Sequence, residues 1–294
     1  MKKLFPILVF TWFHGLGQDS IFFQNAEWSP DGKKICAETI RKSGPVLGYE
    51  GYIIDMKEKT IERKIPGAVF PAWSADGKAI AYSKRNSSPH GLDIWIKNTQ
   101  TGDTSRLTND TVRSSGVTFS PDGKKICFSS DKGSGRHLFV INTDGSDLHQ
   151  ITFDTARYFN PVWAPGGDEI VYYRELGDHR DKVFTLDVKS GKEMNVTDDT
   201  LHNTYPGWLP DGKTISYTCS IPFSNDESGR QTALIDADGR HKRFVPGTVG
   251  SFGSRVSPDG NRIALIKGRW PQSNIYIINI DGSSPDCLTC KLFE

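Results

Sequence analysis

The sequence predicts an all-β protein: one six-bladed β-propeller whose blades are four-stranded antiparallel sheets. Three observations carry that reading. A five-residue phrase recurs six times at intervals of 44 to 48 residues. Each copy is followed by the same succession of short β-rich runs and turns, and a fixed period of this length marks a repeat architecture. The 29 glycines and 16 prolines among 294 residues fall largely in turn-forming pairs, which an all-helical chain would not tolerate.

In chain order, residues 1–17 read MKKLFPILVFTWFHGLG. Lys2 and Lys3 make a basic start, Leu4 to Phe13 an apolar stretch, and Gly15 and Gly17 a small-x-small exit. That is the layout of a secretory signal peptide cleaved near Gly17. The apolar stretch is too short to cross ~30 Å of hydrocarbon. No later run is long enough to span a membrane, and no Cys follows the cleavage region to take a lipid. The expected mature chain, residues 18–294, is a single propeller in the periplasm or secreted. Removing Lys2 and Lys3 leaves 34 of the 36 basic residues against 35 acidic ones. Near-neutral charge removes the main warrant for nucleic-acid binding, which needs a basic surface to displace counterions.

The repeated phrases are Trp28-Ser-Pro-Asp-Gly32, Trp73-Ser-Ala-Asp-Gly77, Phe119-Ser-Pro-Asp-Gly123, Trp163-Ala-Pro-Gly-Gly167, Trp208-Leu-Pro-Asp-Gly212 and Val256-Ser-Pro-Asp-Gly260. They place blades beginning near residues 21, 66, 111, 155, 200 and 248. After each phrase comes an apolar run, from Lys34-Ile-Cys-Ala37 and Ala79-Ile-Ala-Tyr82 to Arg262-Ile-Ala-Leu265. A variable polar loop leads to a second β-rich run such as Asp93-Ile-Trp-Ile96 or His137-Leu-Phe-Val-Ile141. A turn such as Thr143-Asp-Gly145 and a last short strand follow, ending in Arg106-Leu-Thr108, Gln150-Ile-Thr152, Asn195-Val-Thr197 or Cys287-Leu-Thr289. The phrase's aromatic residue is expected as an apolar wedge between blades. Its Asp is expected to accept local backbone hydrogen bonds in a turn.

Five cysteines, an odd number, are too few for a disulfide scaffold in a chain this long. Cys36 and Cys127 hold equivalent strand positions in non-neighbouring blades, too far apart to bond, and read as core residues. Cys287-x-x-Cys290 reads as a local disulfide stapling the C-terminus. A zinc site would need a second half, and redox catalysis a βαβ context that is lacking.

The phrases Trp-Ser-Pro-Asp-Gly-Lys-x-Ile and Asp-Gly-x-x-x-x-Leu-Thr resemble the WD40-like PD40 repeats of TolB-type propellers, over about residues 19–294. The resemblance implies the six-bladed fold and a periplasmic role as partner of a peptidoglycan-associated lipoprotein. It also implies an α/β domain before the propeller. The short stretch between the leader and Trp28 leaves no room for one, so that domain is expected to be missing.

Strand order assigns the loops to faces. The Ser-Pro-Asp-Gly turns and the later Asp-Gly turns share one face, while inter-blade links and variable mid-blade loops share the other, where binding is expected. In register, the links carry Arg113, Arg157, His202 and Gly250 at one position and Ser114, Tyr158, Asn203 and Ser251 at the next. Arg113, Arg157, Tyr158, His202 and Asn203 are therefore expected to ring the channel mouth. His90, Arg136, His137, His179, Arg180, Asp226, Glu227 and Trp270 are expected further out. A partly cationic, aromatic mouth suits an acidic or amide-rich ligand.

The function expected is a non-catalytic binding module, without cofactor or metal, docking a protein segment of the cell envelope or a small molecule. Neither a His-Glu-x-x-His nor a Gly-x-Ser-x-Gly motif occurs. The alternative is a carbohydrate-active, lyase- or hydrolase-like enzyme with a channel site. Some TolB-like propellers resemble pectate-fragment lyases that hold a divalent metal with channel histidines, and only His202 falls at a suitable inner position here.

Overall fold

A computed structural model describes residues 20–43, 46–176, 180–220, 229–269 and 272–293. The expected leader and His179, Asp226, Glu227 and Trp270 lie outside the described residues. Blade 1 is β1 (Ser20–Trp28), β2 (Lys34–Ser43), β3 (Val46–Asp55) and β4 (Thr60–Pro66). Blade 2 is β5 (Val69–Trp73), β6 (Ala79–Arg85), β7 (Leu92–Asn98) and β8 (Thr104–Arg106). Blade 3 is β9 (Ser114–Phe119), β10 (Lys125–Ser130), β11 (His137–Asn142) and β12 (His149–Gln150). Blade 4 is β13 (Arg157–Trp163), β14 (Glu169–Glu175), β15 (Lys182–Asp187) and β16 (Glu193–Asn195). Blade 5 is β17 (Asn203–Trp208), β18 (Thr214–Ser220), β19 (Arg230–Asp236) and β20 (Arg243–Phe244). Blade 6 is β21 (Ser251–Val256), β22 (Arg262–Arg269), β23 (Gln272–Asn279) and β24 (Asp286–Cys287).

In every blade four consecutive strands pair in order and antiparallel. First strands of neighbouring blades touch all the way round, β1 with β5 through to β21 with β1, and so form the hub. This is the predicted six-bladed propeller.

Local chemistry explains each blade. In the first turn, Ser29 Oγ donates to Asp31 Oδ1 at 2.6 Å and accepts from Lys34 N at 2.9 Å, while Asp31 accepts from Lys33 N. Ser74–Asp76, Ser120–Asp122 and Ser257–Asp259 repeat the arrangement. The Leu-Thr ending has a role of its own. Thr108, Thr152, Thr197 and Thr289 each accept, through the side-chain oxygen, the N–H of Ile94, Leu138, Val183 and Ile275 at 2.9 Å. The outer edge is thereby capped where the fourth strand stops pairing.

Six buried clusters fill the six seams, and each contains the phrase's first residue from the later blade. Trp73 packs with Cys36 and Ile53, Phe119 with Ala81 and Ile94, Trp163 with Cys127 and Leu138, and Trp208 with Val171 and Val183. Val256 packs with Leu209 and Leu234. Trp28 closes the ring against Ala264, Ile266 and Ile277. Cys36, Cys127 and Cys219 are buried and free.

Among the described residues no strand is exchanged at the ring closure, and Ile21 to Phe23 pair within blade 1. Blades 1 and 6 are joined by side chains instead. Trp28 Nε1 donates to Arg255 O at 3.0 Å, Arg255 Nε to Glu27 Oε1 at 2.5 Å, and Ser273 Oγ to Phe23 O at 3.0 Å. Beyond β24, a disulfide joins Cys287 to Cys290. The turn it pins carries Leu288 into the closing seam and sets the Phe293 ring edge-on to Tyr52, 5.7 Å between centroids.

Candidate functional site

The innermost strands are not regular. Each has a bulge in its middle. In blades 2 to 6 a bulge residue takes a left-handed conformation: Phe70, Gly116, Asn160, Tyr205 and Gly253, with φ of 49°, 71°, 48°, 51° and 62°. All five lie three residues before the phrase's first residue. Left-handed backbone costs a bulky residue roughly 1–2 kcal/mol, so something must hold Phe70 and Tyr205 there. Phe70 N donates to Glu38 Oε2 at 2.9 Å, and Gly253 N donates to Thr218 Oγ1 at 3.1 Å. Glu38 and Thr218 are equivalent, both ten residues after the phrase's Trp. The second strand of one blade thus holds the bulge of the next, which re-aims backbone and side chains at the channel.

Glu38 is the exceptional member of that set. It is fully buried, and its Oε1 has no hydrogen-bond partner. Burial pushes its carboxyl up to about 7, against the Phe70 N–H and the charge of Arg113. A cavity of about 150 Å³ adjoins the Phe70 bulge, lined by Asn25, Glu27, Phe70, Trp73, Asn160 and Arg255 among others. Arg255 spans this space, reaching Glu27 and donating from Nη1 to Tyr205 O at 3.2 Å.

The residues predicted for the mouth divide into two groups. Arg113, Arg157 and His202 are at least partly exposed at the starts of the inner strands. Arg157 Nη1 pairs with Glu175 Oε2 at 2.7 Å, and its guanidinium lies 5.2 Å from the centre of the Phe159 ring. His202 Nδ1 is 3.5 Å from Asp181 Oδ2. Burial and the Glu175 charge push the Asp181 carboxyl up to about 7, against Arg157. Tyr158 and Asn203, by contrast, are 1% and 0% exposed. Successive strand residues face opposite ways, so the position after each Arg or His turns inward. Tyr158 lies between the rings of His137 and Tyr172. Asn203 Nδ2 donates to Asp199 Oδ1 at 2.7 Å, shaping its link.

The outer set also divides. His90 and Arg180 are exposed. Arg136 and His137 are buried, not displayed on a loop. Arg136 is drawn inward because Nη1 donates to Asp131 Oδ1 at 2.7 Å and Nη2 to Ser115 Oγ at 2.5 Å, while its plane covers Phe159 at 5.0 Å.

Sequence reasoning misses the rings between these arginines. Phe159 stacks on Tyr173 at 5.1 Å, Tyr173 meets Tyr205 at 6.3 Å, Tyr205 meets Phe252 at 6.4 Å, and Phe252 stacks on Phe22 at 6.0 Å. Arg230 lies 5.9 Å over Phe252. This arc crosses blades 4, 5, 6 and 1. Aligning the repeats three and four residues before the phrase, and ten after its first residue, would have found all of it but Phe22, which lies six residues before Trp28. Chemically the arc offers stacking surface plus guanidinium edges, which suit planar and carboxylate-bearing groups. Among the described residues, no three His, Cys, Asp or Glu side chains gather as a metal site. None of those residues forms a helix long and apolar enough to cross a membrane.

A family model described as the TolB beta propeller domain, PD40, matches residues 18–255. The Tol-Pal system protein TolB of Francisella tularensis subsp. mediasiatica is 29% identical over 243 residues, covering 81% of this chain and 54% of that protein. The chain therefore spans about half the length of the curated relatives it matches. TolB from Acinetobacter baumannii superposes with a TM-score of 0.61 at 22% identity, over 76% of this chain and 53% of that one. Putative TolB from Agrobacterium tumefaciens also reaches 0.61, at 18% identity, over 88% and 90% of the two chains. Six in-phase repeats, six sheets round a hub and a family match over most of its length agree: the chain belongs to the TolB β-propeller family.

Proposed function

We propose that the chain is an exported, non-catalytic binding module of the cell envelope, gripping a protein segment at the link-side mouth of its channel. The observation that carries this is the continuous arc of rings from Phe159 to Phe22, with Arg136, Arg157 and Arg230 laid on its faces. Stacking holds each guanidinium flat; the exposed Arg157 and Arg230 turn their edges to solvent, where a carboxylate or amide can bond them, while Arg136 is held from within by Asp131 and Ser115. The Arg157–Glu175 pair is exposed, and such pairs contribute little. An incoming carboxylate can therefore replace Glu175 at small cost. Tyr158 and Asn203 serve from beneath, fixing the links on which Arg157 and His202 sit. Relatives named as Tol-Pal system proteins support an envelope setting and a protein partner.

The test is capture from a native envelope extract by the purified protein and by an Arg157→Ala/Arg230→Ala variant. Both side chains are exposed, so melting should barely move. Recovery of the captured partner should fall by about tenfold or more. Equal recovery by the two proteins overturns the proposal.

A further inference from the structure

The opposite face of the molecule carries a second site, visible through what one repeat lacks. At four seams, the phrase's proline from the earlier blade packs against the glycine of the later one. Pro30 Cδ lies 3.9 Å from where a Cβ on Gly77 would sit. The corresponding distances are 3.7 Å for Pro121 and Gly167, 4.0 Å for Pro210 and Gly260, and 3.9 Å for Pro258 and Gly32. Nothing comes within 4 Å of that point on Gly123, where the preceding turn has Ala75 in place of proline. Gly212 is equally open, yet its seam keeps both Pro165 and Trp208. The seam between blades 2 and 3 has lost both, since Phe119 stands where four other repeats have Trp.

The missing bulk leaves a groove of about 620 Å³, within the roughly 300–1,000 Å³ of ligand clefts. Its floor is Ala79, Ile96, Phe119 and Pro121, and Asp76, Asp103 and Asp122 stand round it against Lys78 alone. Hydrogen bonds from Lys78 N and the Ser74 hydroxyl hold the Asp76 carboxyl below the usual range. The Ser120 hydroxyl and Lys124 N do the same for Asp122.

We propose that this groove takes an aromatic side chain, flanked by lysine or arginine, from an exposed segment of a partner protein. The ring occupies the space that a Trp and a Pro fill at other seams, and the flanking cations meet the three aspartates. The site lies on the turn face, away from the link-side mouth, and stands independently of the function proposed above.

The probe is the labelled peptide acetyl-Lys-Lys-Trp-Lys-Lys-amide, followed by anisotropy, with an Ala-centred and a Glu-flanked peptide as controls. The Trp peptide should bind saturably and at least about tenfold tighter than either control. Ala75→Pro with Phe119→Trp, the residues that other repeats use, should close the groove and weaken binding about tenfold. Asp103→Lys, at an exposed position just before β8, should weaken it severalfold even if the double variant does not fold. Arg157→Ala/Arg230→Ala should bind the peptide as wild type does. Equal binding of the Trp and Ala peptides overturns the proposal. So does wild-type affinity in the folded double variant, or in Asp103→Lys if the double variant fails to fold.

Discussion

Replacing Glu38 by Gln should make the protein more stable at alkaline pH and leave it nearly unchanged in acid. The carboxyl is fully buried with one oxygen unpartnered, and burial raises it from an ordinary 4.5 to about 7. The folded state therefore keeps a proton that the unfolded chain gives up near 4.5. Stability from this group is complete below pH 4.5 and is lost as the pH rises through 7. At 1.36 kcal/mol per pH unit, the loss is about 3 kcal/mol once the group is ionised. In a domain of this size that is roughly 6–10 °C in melting temperature. The amide keeps an oxygen to accept from Phe70 N but cannot ionise. Thermal melts of wild type and Glu38→Gln from pH 4.5 to 8.5 supply the check, read as the difference between the two curves. Asp181, which also rises to about 7, acts in both proteins and cancels. Parallel curves across the range would refute the assignment of a strained, buried acid at the hub.

Two further outcomes are expected. The turn carboxylates Asp31, Asp122 and Asp259 are held below the usual range chiefly by serine hydroxyls, and Asp76 chiefly by Lys78 N. Their depressed values add stability above the unfolded carboxylate range that is lost as the pH falls through it; an Asp31→Asn/Asp122→Asn variant should show a shallower loss below pH 4 in urea titrations. Reducing the Cys287–Cys290 disulfide opens a very short loop, worth about 2 kcal/mol by chain entropy. Urea midpoints with and without a phosphine reductant should differ accordingly, and a Cys290→Ser variant should be insensitive to the reductant.

Blade order, turn chemistry and the wedging of Trp28, Trp73, Trp163 and Trp208 are legible in the sequence because each is a local event repeated in phase. A strand that follows an Asp-Gly turn has nowhere else to pair. The bulges are not legible in that way. Whether Phe70 or Tyr205 sits opposite one residue or between two depends on the pairing register of the adjacent strand. That register sets which neighbours face the channel, so Tyr158 and Asn203, next to mouth residues in sequence, point into seams. Glu38 escapes notice for a related reason. As Lys34-Ile-Cys-Ala37-Glu38 it looks like a solvent-facing strand end, and only the next blade's arrival, with Phe70 N in place of water, makes it buried.

In a repeat protein, a departure from the shared pattern carries meaning only when nothing nearby offsets it. Val256 departs further from Trp than Phe119 does, yet its seam is closed. Leu209, standing where four other repeats have serine and one alanine, fills the space and is itself 8% exposed. The seam before Phe119 keeps the small Ser74 at the corresponding place and Ala75 after it, and there the molecule stays open. The same reasoning separates Glu38 from Thr218. Both hold a bulge, but a hydroxyl does so without burying a charge, and a carboxylate leaves a second oxygen unused. Packing alone would be served as well by threonine at both positions. If Glu38→Thr proves more stable at pH 8 and still holds Phe70, the carboxylate's place at the hub belongs to the channel's chemistry and not to the fold.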